Sequence, residues 1–283
     1  MFYYGLVTVA VVMFSFMFFF NERYQKANGT STRTVIRFNI EANAVGLVIL
    51  LIINKFRFEF TPFSLAVALA AAADALLFVF CSIKAFDKIN LSLYSVISML
   101  GGMALPFAAG IIFWGEELSA GKIVCFVLIA VSLFLTVKKD GKGSGILYYA
   151  GIFILNGMSG VISKFYTESD YPKAGDAGYS AQIALLCIAI CSVWLLLNKD
   201  PKQKFSIKSL AYSSGYGILA RIGNYLSLIG LSHLPASVQC PFITGGVMIV
   251  STIICFFTPN KPGKKEIAAV ALSFAGTVAL VVL

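Results

Sequence analysis

Charge is scarce in this sequence. Only 12% of the 283 residues are Asp, Glu, Lys or Arg, whereas a soluble domain carries about 25%. Hydrophobic residues make up 59% of the chain, and its mean hydropathy is +0.87. A chain of this composition lacks the polar side chains that a water-facing surface needs. The composition therefore excludes an ordinary soluble protein and predicts one embedded in lipid.

Catalytic groups are also missing. The sequence has one histidine, His233, and so no second histidine with which to form a metal site. The HExxH, GxSxG and Walker sequences are absent, which removes the usual routes to metal-assisted hydrolysis, acyl transfer and ATP-driven pumping. We therefore expect neither an enzyme nor a cofactor or metal site.

Long apolar runs fill most of the chain. A helix needs about 20 apolar residues to cross about 30 Å of hydrocarbon. Ten runs approach that length, at about residues 2–20, 39–54, 63–82, 92–113, 122–138, 147–165, 180–198, 209–231, 235–258 and 267–283. A lipid-exposed segment must satisfy its backbone hydrogen bonds internally, so each run is predicted to be a helix. The sequence thus predicts an all-α, polytopic, multi-pass protein of the cell (inner or plasma) membrane.

The basic residues are distributed unevenly along the chain. Of the 22 Lys and Arg residues, sixteen lie in loops that follow odd-numbered runs and five in loops that follow even-numbered runs. Such a bias sets membrane orientation and favours cytoplasmic odd loops, with both termini outside. The net charge of +9 is then explained without a nucleic-acid partner.

Two segments of the chain resemble each other. Residues 91–137 can be laid over residues 235–282 at an offset of 144, which places Gly101 and Gly102 on Gly245 and Gly246. The match divides the chain into two five-helix halves, residues 1–145 and 146–283. Because five is odd, the second half enters the bilayer from the opposite side. The sequence therefore predicts inverted repeats, the arrangement in which a substrate site near the midplane is exposed alternately to each side.

Residues 92–137 also carry a family resemblance. They contain a mid-helix proline, Pro106, a Gly-Glu turn at Gly115 and Glu116, a polar start to the next run and an apolar helix that closes the half. In these features the chain resembles the EamA-like family of the drug/metabolite transporter superfamily. The resemblance implies ten helices in two inverted repeats and secondary transport, with both termini in the cytoplasm, opposite to the charge distribution. The second half departs from the pattern, since "TPNKPGKKE" (258–266) stands where the Gly-Glu turn should recur.

Two charged residues lie deep inside apolar runs. An ionisable side chain at the bilayer centre costs about 2.5–3.5 kcal/mol, so it normally faces a bundle interior or a water path. Asp74 and Arg221 lie near the middle of runs three and eight, within about one turn of repeat-related positions. We expect them to line a central cavity and to be coupled. A static ion pair and the absence of mutual contact are the alternatives.

Neutral polar residues are further candidates for the substrate pathway. Amides and hydroxyls inside spans serve as interhelical hydrogen bonds at least as often as ligands, so both roles stay open for them. These residues are Tyr94, Ser98, Asn156, Asn224, Tyr225 and Gln239. The four paired glycines are predicted to permit close helix crossings, and Glu116 is predicted to be a solvated helix cap.

The sequence as a whole favours a secondary transporter that moves a small metabolite by alternating access through a central cavity between the two repeats. Export of amino-acid-like compounds is the leading expectation. The expected partners are the lipid bilayer, the small-molecule substrate, and a proton or counter-substrate as the coupled species. The alternatives are a nucleotide-sugar or lipid-carrier translocator and a non-transporting membrane scaffold subunit.

Overall fold

A computed structural model describes residues 2–29, 31–57, 59–86, 91–135, 146–197, 206–256 and 263–282. Within these residues the chain forms α-helices and no strand. The helices are α1 (Phe2–Asn28), α2 (Thr32–Ile53), α3 (Pro62–Phe86), α4 (Leu91–Trp114), α5 (Ala120–Leu135), α6 (Ile146–Glu168), α7 (Asp176–Leu197), α8 (Ile207–Leu231), α9 (Ala236–Phe256) and α10 (Lys264–Val282). The all-α prediction is confirmed, and each predicted apolar run falls on one of these helices.

Six of the helices are long and apolar enough to cross a membrane. These segments are Phe2–Gln25, Thr32–Ile53, Pro62–Val79, Ile97–Trp114, Asp176–Leu197 and Ala236–Ile254. Two shorter apolar helices, Ala120–Leu135 and Ile267–Ala279, fall below the length of a full span. The chain therefore has the helices of a membrane protein, while the expected number of ten spans stays a prediction.

The connection between α1 and α2 is much shorter than the gap between the first two predicted runs, which end and begin at about residues 20 and 39. Helix α1 instead continues to Asn28, and α2 begins at Thr32. Gly29 ends the first helix with a φ of +76°, which a glycine adopts without steric cost. Ser31 caps the second helix, since its Oγ accepts a hydrogen bond from the Thr34 backbone N–H at 3.2 Å.

The charged residues of that region consequently belong to helix ends. Arg23 lies in the last part of α1 with its guanidinium 5.0 Å from the centre of the Phe19 ring. Arg37 lies in the second turn of α2 and binds Glu41. Long basic side chains can extend from a helix end to the membrane surface, so apolar continuity alone underestimated the length of both helices.

The chain divides into two compact units. The first unit comprises Met1–Val12, Asp74–Glu168 and Gly230–Leu283, and the second comprises Met13–Ala73 and Ser169–Ile229. Each unit combines helices from both predicted sequence halves. The units are therefore distinct from the halves 1–145 and 146–283, which stay a prediction.

In the first unit, α4 packs on α6 and α9, and α10 packs on α5 and α9. The α4–α6 crossing depends on small residues, because a Cβ on Gly101 would overlap the backbone of Phe153 and one on Gly157 would overlap Leu105. A Cβ on Gly245 would lie 2.8 Å from the Thr277 side chain. The prediction that the paired glycines permit close crossings is confirmed at these sites.

In the second unit, α2 packs on α7 and crosses α8 closely. A Cβ on Gly217 of α8 would overlap the backbone of Ala42, and one on Gly46 of α2 would overlap the side chain of Arg221. The missing side chains let the two backbones approach, and they leave room for the Arg221 stem to lie across α2.

Candidate functional site

Asp74 lies on the buried face of α3, at the edge of the first unit. Its exposed fraction is 7%, and Val67, Ala68 and Ala72 on the same helix are also buried. Among the described residues of the first unit, no hydrogen bond or ion pair reaches its carboxylate. Asp74 is therefore a buried acid without an ion-pair partner among the described residues of the first unit.

Arg221 lies in the middle of α8, in the second unit. Its Nη2 donates a hydrogen bond to Oδ1 of Asn43 on α2. Asn43 is itself buried, with 7% exposure, and its Nδ2 donates to the carbonyl oxygen of Asn39 at 2.7 Å. The amide is thus fixed with its oxygen towards the guanidinium. Pairing of Arg221 with Asp74 would join residues of different units and stays a prediction.

A second polar contact lies further along the same two helices. Glu41 of α2 accepts a hydrogen bond from Nε of Arg37 at 2.7 Å and another from the Ser213 hydroxyl at 2.7 Å. We call Glu41, Asn43, Ser213 and Arg221 the α2–α8 seam. The seam places a paired acid and a cation bonded to a neutral amide on one helix interface.

Glu116 corrects a second expectation, because it is buried and not solvated. Its carboxylate oxygens accept hydrogen bonds from the backbone N–H groups of Ala236 at 2.7 Å and Ser237 at 2.8 Å. Gly115 has a φ of +62° and turns the chain so that Glu116 reaches the start of α9. The acid caps a helix far away in sequence, where it also complements the helix dipole.

Lys164 of α6 completes this cluster in the first unit. Its Nζ lies 3.7 Å from Glu116 Oε1 and 2.7 Å from Glu168 Oε1, and it donates a hydrogen bond to the Leu231 carbonyl oxygen at 3.4 Å. The side chains of Lys164 and Glu116 are 5% and 8% exposed. Lys164 is one of the five basic residues that the charge distribution assigns to loops after even-numbered runs, whereas it lies buried in α6. The cluster is satisfied internally, which indicates a structural role.

Asn156 and Ser98 are two predicted pathway residues that the structure brings together. Nδ2 of Asn156 on α6 donates to the Ser98 carbonyl oxygen on α4 at 2.6 Å. A Cβ on Gly102 would lie 2.7 Å from the same amide nitrogen. This bond is an interhelical contact of the kind weighed as the alternative for neutral residues.

The other predicted pathway residues belong to different units or lie outside the described side chains. Gln239 is buried in α9 of the first unit, against Gly230. Asn224 is exposed on α8 and Tyr225 beside it is half-buried, both in the second unit. Tyr94 lies in α4, outside the residues whose side chains are described.

The residues that sequence reasoning missed are Glu41, Asn43 and Ser213 of the seam, and Lys164. Glu41 and Asn43 both lie inside the second predicted run. For Glu41 a signal existed, because the cost of placing an ionisable side chain in a span, which singled out Asp74, applies to this acid as well. No signal in the sequence pairs Glu116 with Ala236, since that contact spans about 120 residues. Among the described residues, no group of three or more His, Cys, Asp or Glu side chains could hold a metal ion.

Comparison with known proteins identifies the fold alone. No family model and no curated protein matches the sequence. A protein of known crystal structure matches with a TM-score of 0.80 and 14% sequence identity, over 97% of this chain and 94% of the other. The helical arrangement therefore occurs, nearly end to end, in a protein whose sequence has diverged widely.

Proposed function

We propose that this protein is a secondary transporter of the EamA-like, drug/metabolite type, which moves a small metabolite across the cell membrane by alternating access. Export of amino-acid-like compounds is the leading activity. The observation that carries the proposal is the pairing of helices whose positions in the chain differ by five.

A five-helix repeat makes α2 equivalent to α7, α4 to α9 and α5 to α10. Each of these pairs packs directly, α2 on α7 in the second unit and the other two pairs in the first. Elements near a two-fold axis contact their own equivalents, so this pattern is what two inverted repeats predict. The α4–α6 pair also has its expected counterpart in α9 and α1, where a Cβ on Gly246 would lie 2.9 Å from Val11.

The polar residues add support of a different kind. Asp74 and Arg221 are ionisable groups in the middle of membrane-type helices, and neither forms an ion pair with a described residue of its own unit. Groups of this kind usually belong to a substrate or ion pathway. A scaffold subunit would hold such charges only in static pairs.

The test is counterflow into liposomes that contain the purified protein and are preloaded with unlabelled compounds. Uptake of at least one labelled amino-acid-like compound is expected, above the level of protein-free liposomes and of liposomes with the Asp74→Asn variant. Absence of counterflow for every member of a broad metabolite panel would favour the scaffold. Nucleotide sugars and a fluorescent lipid in the same panel would identify the translocator alternatives.

A further inference from the structure

Arg221 is a cation in neutral surroundings. The groups within electrostatic range of its guanidinium are the Tyr216 hydroxyl of α8 and the Cys187 thiol of α7, and its hydrogen-bond partner is the Asn43 amide. None of these three carries a full negative charge at neutral pH. The described residues of its own unit therefore supply the guanidinium with polar contacts and no counter-ion.

The nearest acid along the α2–α8 seam is already occupied. Glu41 binds Arg37 and the Ser213 hydroxyl. Glu41 is therefore already paired with another arginine, Arg37.

The described residues of the second unit engage only part of the hydrogen-bonding capacity of Arg221. A guanidinium has five N–H donors in a fixed planar fork, and among the described residues of the second unit only the bond to Asn43 engages them. That bond holds the fork in one orientation, because Asn43 is buried and tied to Asn39. A planar fork with free donors fits a carboxylate, which accepts two parallel N–H bonds.

We propose that Arg221 binds the carboxylate group of the transported compound, with Asn43 as the residue that positions the guanidinium. This inference rests on the proposed transport function and specifies its substrate class as small carboxylates, including amino acids. A partly buried arginine without a counter-ion among the described residues of its own unit gains more from a carboxylate ligand than an arginine already held in an ion pair.

The first experiment needs no variant. Full-length protein in nanodiscs is titrated by calorimetry with 4-methylpentanoate, 4-methylpentanamide, L-leucine and L-leucinamide, which vary the carboxylate and the amino group independently. Each acid is expected to bind at least about tenfold more tightly than its amide, the ratio that corresponds to losing one charge-assisted hydrogen bond. Equal binding of acids and amides, or no binding of any acid, would overturn the proposal.

The second experiment locates the effect. Arg221→Gln is expected to abolish the preference for acids, and Arg221→Lys to weaken it, because an ammonium lacks the bidentate fork. Arg37→Gln is the matched control, an arginine on the same interface whose carboxylate partner is internal, and it should keep the preference. The melting temperature of each ligand-free variant shows whether that variant is folded. If Arg221→Gln misfolds, Arg221→Lys and the wild-type titration still test the proposal. Full preference for acids in a folded Arg221 variant would contradict the assignment.

The positioning role of Asn43 has its own readout. Asn43→Ala should lower the ratio of acid to amide affinity, whereas a residue needed only for folding would weaken both ligands alike. The transport proposal fails separately. Acid-selective binding without counterflow would support the carboxylate site and contradict the transport function. Counterflow of compounds that bind independently of a carboxylate would support transport and contradict the carboxylate site.

Discussion

At the scale of single residues, the two buried charges have different environments. Arg221 has a neutral amide partner that orients it, while Asp74 has no partner among the described residues of its own unit. A buried carboxylate that is held permanently by a cation contributes to stability, and its removal strands the partner at a cost of about 3–5 kcal/mol. A carboxylate kept for transport lacks that permanent partner.

Substitution of Asp74 should separate these cases. Asp74→Asn is expected to abolish counterflow without lowering the melting temperature, because the amide retains the shape and removes a costly buried charge. The measurements are counterflow in liposomes and thermal unfolding in detergent. Asp170→Asn, in the exposed connection between α6 and α7, is the matched control and should leave both unchanged.

Two results would contradict this expectation. A loss of about 3–5 kcal/mol in Asp74→Asn, recovered in the double variant Asp74→Asn with Arg221→Gln, would show that the two charges form a static pair. Normal counterflow in Asp74→Asn would show that the acid has no part in transport.

At the scale of elements, the start of α9 is held by a side chain from the connection between α4 and α5. Glu116 satisfies two of the N–H groups that a helix N-terminus leaves open and pairs with Lys164 of α6. Three segments of the first unit therefore meet at one carboxylate.

Removal of that carboxylate should destabilise the first unit. Glu116→Ala is expected to lower the free energy of unfolding by about 2 kcal/mol, since a helix cap contributes about 0.5–2 kcal/mol and a buried N–H left open costs further. Chemical denaturation in detergent measures the change. Glu117→Ala is the matched control, because this neighbouring acid is exposed; equal losses in the two variants would refute a specific capping role.

The crossing of α4 and α6 gives a second test at this scale. Gly101→Ala should cost at least about 1–3 kcal/mol, because the added methyl group would overlap the Phe153 backbone, which cannot move independently of α6. Gly5→Ala in α1 is the control, because nothing lies within 4 Å of an added Cβ and alanine favours the helix over glycine by about 1 kcal/mol. Thermal unfolding of both variants measures the difference. Equal melting temperatures would show that α4 and α6 can shift to accommodate the added methyl group.

At the scale of the whole molecule, the orientation in the membrane is predicted from the distribution of basic residues along the sequence. The charge distribution favours cytoplasmic odd loops, whereas the EamA-like resemblance implies the reverse. Ser169, in the connection between α6 and α7, and Lys139, outside the described residues, lie in loops of opposite type.

Cysteine labelling with a membrane-impermeant maleimide on intact cells should distinguish the two orientations. Ser169→Cys is expected to react and Lys139→Cys to be protected, because an excess of Lys and Arg retains a loop in the cytoplasm. Permeabilised cells, in which both positions should react, provide the control, and the wild-type chain gives the background from native cysteines. Modification at 139 and protection at 169 would establish the family orientation instead.

The sequence by itself determined the class of protein and the positions of its helices. Apolar runs and scarce charge depend on local composition, so they placed a helix at every predicted position and a buried acid at Asp74. Local composition predicts the ends of helices less accurately than their positions. The first apolar run ends near residue 20, whereas α1 continues to Asn28. The helix can include basic residues at its end because their side chains can extend away from the lipid.

Only the tertiary structure decided which polar groups meet. Glu116 and Ala236, or Asn43 and Arg221, are more than 100 residues apart in the chain, and their contact depends on which helix faces pack together. Helix periodicity gives the face of a residue but not the helix that covers it. The sequence could therefore single out Arg221 as a costly charge, while its neutral partner and the absence of a counter-ion within its unit follow from the packing of α2 against α8.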